Sequence, residues 1–161
     1  MIAGDGPERH NLENLCKELK VKNVVFIGAV SEDVKPGYFL AADIYVYPSI
    51  TLELPEEWPL GVVEAMSVGK PVIVTTAVGS APDVVQHGVN GYIIPEKDVD
   101  ASYNALKSLV LDKDLREKMG LASKKIVENA YTYEHAVKGL AEAIIIALRN
   151  KIKGKTKDYM G

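Results

Sequence analysis

The chain has 161 residues and a mass of 17.5 kDa, with 47% hydrophobic and 25% charged side chains, the make-up of one globular domain with a sizeable core. Its 19 basic and 22 acidic side chains leave a formal charge of −3, which offers no global attraction to nucleic acid or to an acidic membrane, so any phosphate site must be local. The lone Cys16 excludes a disulfide framework or a thiol metal cluster and fits a reducing compartment. The apolar run Ala143 to Leu148 is too short to span a bilayer, and Met1 is followed by no basic segment and apolar signal core. A cytoplasmic location is expected.

MIAGDGPER reads as a strand end and a Gly-Asp-Gly-Pro turn, followed by a helix with Leu12, Leu15 and Leu19 at helical spacing. VVFIG, Val24 to Gly28, is a short apolar run typical of a strand covered on both faces. A helix containing Tyr38, Leu40 and Ala41 follows, with Pro36 tolerated in its first turn. IYVYP, Ile44 to Pro48, is the next strand, and a loop from Ser49 to Trp58 leads to a helix from about Leu60 to Val68. GKPVIVTT is again a strand. A short helix near Asp83 to Gln86 precedes the turn HGVNG and the strand YIIP. From Asp98 onward the pattern is helical only: one helix to about Leu111, one from about Leu115 to Asn129 and one from about Tyr133 to Asn150. The basic segment 151–161 reads as a frayed tail after a domain spanning residues 1–150. Alternating strands and helices with short connections predict an α/β fold, a Rossmann-like parallel sheet flanked by helices, with helices at its C-terminus.

In such sheets ligands collect at the carboxyl ends of the strands, where helix N-termini present unpaired amides. Four loops fall at such ends: GDGP, GAVSED, PSITLELPEEWPLG and TTAVGSAPD. Taken singly each is weak. GDGP can be a tight turn only, and it is neither a G-x-G-x-x-G fingerprint nor a Walker loop. Glu56 and Glu64 are ambiguous on spacing alone. A carboxylate near a helix N-terminus gains about 0.3–1 kcal/mol from the macrodipole, yet a carboxylate also accepts the paired hydroxyls of a ribose or sugar. The helix-terminal reading leads until other residues are considered. His10, His87 and His135 are far apart in sequence and support neither a metal site nor a nucleophilic triad. Asp83 reads as a residue that caps or leads its helix, and Tyr45 and Tyr47 as packing residues of a strand.

The ordered set AGDGPER, VVFIGAV, GYFLAADIYVYPS, EEWPLGVVEAMSVGKPVIVT, VGSAPDVV and GVNGYIIP, from Met1 to about Tyr133, resembles the C-terminal, nucleotide-sugar-binding domain of retaining GT-B glycosyltransferases, specifically glycosyltransferase family 4. The resemblance implies that the E-x7-E signature falls on Glu56 and Glu64. Glu56 would be the catalytic group beside the transferred sugar, and Glu64 would accept hydrogen bonds from the ribose hydroxyls. Main-chain groups around Trp58, Pro59, Leu60 and Gly61 would hold the sugar and diphosphate. Gly28, Ala29 and Val30 would border the base, with Gly4, Asp5 and Gly6 lining the same cleft. Several positions depart from the pattern. Pro59 replaces a common glycine and has no N–H to donate; Ser80 replaces the second glycine of a frequent pair, and Asp83 a frequent glutamate. Glu53 and Glu57 are rivals for the first glutamate, but only Glu56 has the spacing.

The resemblance further implies a UDP-, GDP- or ADP-sugar as donor, no cofactor and no metal, an acceptor bound through a preceding Rossmann domain, no nucleic-acid partner, and possible membrane-surface association of the whole protein. It also implies that the arginine and lysine facing the diphosphate stand ahead of Met1, so these residues alone are expected to be inactive in transfer. The alternatives are a nucleotide-sugar epimerase of the same architecture and a non-enzymatic interaction module.

Overall fold

The computed structural model describes residues 1–51 and 58–158, with side chains through Asn150. By its contacts the chain forms two compact units, Met1–Ala41 and Ala42–Gly161. In the first, β1 (Ile2–Ala3) pairs in parallel with β2 (Phe26–Gly28), α1 (Arg9–Glu18) forms the crossover, and α2 (Lys35–Ala41) follows. Gly4 at φ +114° and Gly28 at φ +72° let the chain turn directly at the strand ends. β2 is shorter than the apolar run Val24 to Gly28 that predicted it, because Val24 and Val25 lie ahead of the first paired position, Phe26 opposite Ile2.

The second unit contains the parallel sheet β3-β4-β5, made of β3 (Tyr45–Tyr47), β4 (Val72–Thr75) and β5 (Gly91–Ile94). Tyr45, Val46 and Tyr47 stand opposite Val72, Ile73 and Val74, which in turn stand opposite Gly91, Tyr92 and Ile93. The crossovers carry α3 (Leu60–Ser67) and α4 (Ala81–Val84). α5 (Val99–Leu111), α6 (Lys113–Ala130) and α7 (Tyr133–Asp158) complete the unit.

β4 is buried at every position, as expected of the central strand of a covered parallel sheet. Ile73 joins Ile94, Ala105, Leu109 and Met119 in one core cluster, while Val72 and Val74, at alternate positions, point to the opposite face. α3 sinks Val62, Ala65 and Met66 and packs on α6. Asp98 and Asp112 cap α5 and α6 by accepting from the amides of Ala101 and Leu115, each at 2.8 Å.

Two small features fix how these layers meet. A Cβ on Gly120 of α6 would lie 2.1 Å from the Gly69 carbonyl oxygen, so helix and turn are in backbone contact there. Asn90, fully buried, accepts from the Gln86 amide at 2.7 Å and donates to the Val84 carbonyl at 3.2 Å. Its own carbonyl accepts from the buried Ser123 hydroxyl of α6 and from the Val72 amide.

The helices occur where periodicity placed them, with two differences. The short α4 begins at Ala81 rather than near Asp83, so Asp83 lies in its first turn and Ser80, without a side-chain cap, precedes it. α7 continues to Asp158, past the boundary expected at about Asn150, so the backbone of the segment from Lys151 to Asp158 is helical. From Tyr133 to Asn150 every side chain of α7 is exposed.

Candidate functional site

The residues suggested by the sequence fall in both units. In the first, the Gly4 amide donates to the Gly28 carbonyl at 2.8 Å, which brings the GDG and GAV loops side by side. Asp5 closes its turn by accepting from the Gly6 amide at 2.9 Å. Its other oxygen pairs with Arg9 at 3.3 Å, and Arg9 reaches Glu13 at 2.9 Å. The Glu13 hydrogen bond is the largest cause raising the guanidinium pKa; desolvation opposes it, and the Asp5 and Glu13 charges add to the rise. Arg9 is therefore the cation of a local carboxylate cluster. Ala29 is exposed and Val30 half-buried just beyond the loop junction.

In the second unit α3 starts directly after the buried Pro59, whose extended backbone turns the chain into the helix without a side-chain cap. The first amides of an α-helix have no partner four residues back, so those of Leu60 and Gly61 form a partial positive pole at the helix start. Leu60, Val63, Glu64 and Ser67 recur at helical spacing and form one wall of a groove of about 590 Å³. The opposite wall comes from the end of α6 and the first turn of α7, including Tyr131, Thr132 and His135.

Trp58 stands at this groove, about half exposed, with its ring 5.7 Å from that of Tyr131 and tilted by 46°. The Tyr131 hydroxyl donates to the Asp83 carbonyl at 2.8 Å. The Thr132 hydroxyl lies 2.8 Å from His135 Nδ1. A carboxylate, an aromatic face and a helix start are thus assembled on one concave surface, suited to a ligand with hydroxyls, a ring face and an anionic group. Lys70 lies ahead of β4, at the amino end of that strand.

Glu56 falls outside the described residues, as do Glu53 and Glu57. The structure brings Trp58, Leu60 and Glu64 to one groove in the second unit, and Gly4, Asp5, Gly6 and Gly28 form a cluster within the first. Sequence reasoning missed Tyr131, Thr132 and His135 as groove wall. Their only trace in the sequence is the aromatic pair Tyr131 and Tyr133 at a helix boundary.

It also missed the base of the loop before α3. There the Thr51 amide and hydroxyl both donate to Glu96, at 2.6 and 2.9 Å, tying that loop to the end of β5. The amide hydrogen bond, then the hydroxyl bond, holds the Glu96 carboxyl below its ordinary 4.5. Because the folded value is the depressed one, the stability this contributes is present above 4.5 and is lost as pH falls through the folded value. The difference in unfolding midpoint between wild type and Glu96→Gln, followed by denaturant titration, should hold steady near neutrality and shrink below 4.5. A difference independent of pH throughout the acid range would remove the ionic clamp from the account.

Parallel sheets flanked by helices place this chain in the α/β class, and the solved structures it resembles are GT-B glycosyltransferases. Residues 1–126 match the family described as glycosyl transferases group 1, and the chain belongs to that family. An uncharacterized glycosyltransferase of Methanocaldococcus jannaschii is 32% identical over 149 residues, covering 92% of this chain and 37% of that protein. The GDP-mannose-dependent alpha-(1-6)-phosphatidylinositol monomannoside mannosyltransferase of Mycobacterium tuberculosis is 31% identical over 146 residues, covering 88% and 38%. Among solved structures, Anabaena HepE in complex with UDP-glucose superposes with a TM-score of 0.76 at 25% identity, covering 88% of this chain and 39% of that one. The chain thus spans under two fifths of the length of each of these proteins.

Proposed function

We propose that this chain is the donor-binding part of a retaining glycosyltransferase, which moves a sugar from a nucleotide diphosphate to an acceptor without a metal ion. The observation that carries the reading is Glu64, half-buried on α3 and lining the groove that Trp58 borders. The UDP-glucose complex of a structural neighbour and the GDP-mannose dependence of a relative support a nucleotide-sugar donor. They leave the base and sugar of this chain's own donor to experiment.

Glu64 accepts hydrogen bonds from the two ribose hydroxyls, which fixes the nucleoside by a charge-assisted pair. The Leu60 and Gly61 amides, at the positive pole of α3, take part of the charge that develops on the departing diphosphate. Pro59 gives up one donor there. Glu56, by its sequence spacing from Glu64, supplies the carboxylate that stabilises positive charge growing on the sugar. The acceptor, and the cations that complete the diphosphate site, belong to the whole protein, so these residues alone bind donor weakly and transfer nothing.

Calorimetric titration with UDP-glucose, GDP-mannose and ADP-glucose tests the reading. At least one should bind, and Glu64→Ala should weaken it about 10- to 100-fold, the worth of hydrogen bonds to a charged group. Equal affinity in the variant would sink the ribose assignment, and sugar transfer by these residues alone would overturn the claim that they bind donor without transferring it.

A further inference from the structure

Tyr131 joins three elements, which no other side chain described at the groove does on these contacts. Its amide closes the end of α6 on the Val127 carbonyl at 2.9 Å. Its hydroxyl reaches the Asp83 carbonyl of α4 at 2.8 Å, and its ring packs on Trp58 just ahead of α3. We propose that Tyr131 is a positioning residue of the donor groove, holding Trp58 in the orientation the ligand meets. This rests on the donor-binding reading and extends it to a residue from the far wall.

Trp58 precedes Pro59 and α3, and Pro59 supplies no side-chain cap. The Trp58 ring packs against the Tyr131 ring at 5.7 Å with a tilt of 46°. The phenol anchor matters because a ring with a fixed hydroxyl has one position, whereas a ring without it can swing about its side-chain torsions. When Trp58 samples other orientations, only the fraction in the binding orientation takes ligand, and the apparent dissociation constant rises by the inverse of that fraction. Tyr131 touches the ligand's platform rather than any reacting atom.

Trp58 is the single tryptophan of the chain, so its fluorescence reports this site alone. Wild type, Tyr131→Phe and Tyr131→Leu are to be titrated with UDP-glucose, GDP-mannose and ADP-glucose while Trp58 emission is followed, alongside thermal melts of each. The expected result is saturable quenching in wild type. Tyr131→Phe, which keeps the ring, should weaken it about fivefold, and Tyr131→Leu, which loses both contacts, about tenfold or more. The Leu variant's emission without ligand should shift to longer wavelength, and the Phe variant's should stay near wild type. Variants that melt earlier but keep the wild-type dissociation constant would overturn the proposal, assigning Tyr131 to stability alone while leaving the donor reading intact. Wild type that none of the three donors quenches would overturn both, and the two failures are thus separable.

Discussion

Gly120→Ala should destabilise the chain by about 3 kcal/mol, against the ordinary preference of helices for alanine over glycine of about 1 kcal/mol. Gly120 sits inside α6, where the added methyl would normally reduce the entropy of the unfolded chain. Here it would meet the Gly69 carbonyl oxygen at 2.1 Å and the Gly69 carbonyl carbon at 3.1 Å. Both are backbone, so no side chain can rotate away, and α6 must lift from the turn that joins α3 to β4. That movement separates the two helices that wall the groove, and donor binding should weaken with stability. Gly139→Ala in α7 is the control, since a Cβ there meets nothing within 4 Å. Denaturant unfolding of the two variants should show a large loss for Gly120→Ala and none for Gly139→Ala. Equal midpoints would show that α6 does not rest on the turn as described.

Asn90→Ala should cost a similar amount, about 3 kcal/mol, by stranding two backbone groups at once. The Gln86 amide would lose its acceptor and the Val84 carbonyl its donor, in a place where Asn90 itself has no exposure. Water reaches such a site poorly, so the desolvation of each group is left uncompensated. Ser123→Ala removes one of two donors to the Asn90 carbonyl, the Val72 amide remaining, and should cost about 1 kcal/mol. The order of the two urea midpoints is the measurement. A Ser123→Ala midpoint at or below that of Asn90→Ala would contradict this division of labour.

The order and type of elements were legible because the signals are local. Asp98 precedes a helical pattern and caps α5; VIVT is an uninterrupted apolar run and forms the buried central strand. Strand lengths were less legible, since Val24 and Val25 share the apolar character of Phe26 but lie before the pairing with β1 begins. Gly120 left no trace because its contact with Gly69 joins segments remote in sequence, and Asn90 because its bonds to Gln86 and Val84 form only once the turn is folded and buried. A glycine within a helix and an asparagine in an HGVNG turn each have a routine local meaning.

The candidate site divides in the same way. Trp58, Leu60 and Glu64 lie within one turn and helix, so spacing and family pattern together brought them out. Tyr131 joins them only through the packing of α6 against α3, a contact that periodicity cannot supply. The helix expected to end at about Asn150 runs on to Asp158. The residues after Asn150 alternate lysine with Ile152, Gly154, Thr156 and Asp158, a sequence with no apolar stripe from which periodicity could extend the helix.

The unusual run of α7 has a mechanical consequence. At about 1.5 Å per residue, its 26 residues form a rod about 39 Å long, and His135 in the first turn is also groove wall. Wall and rod are therefore parts of one continuous helix. A tilt of about 10° would carry the far end through about 7 Å while the first turn shifts by about 1 Å, given that rise per residue. A change in the angle of α7 about its first turn is therefore small at the groove and several-fold larger at Asp158.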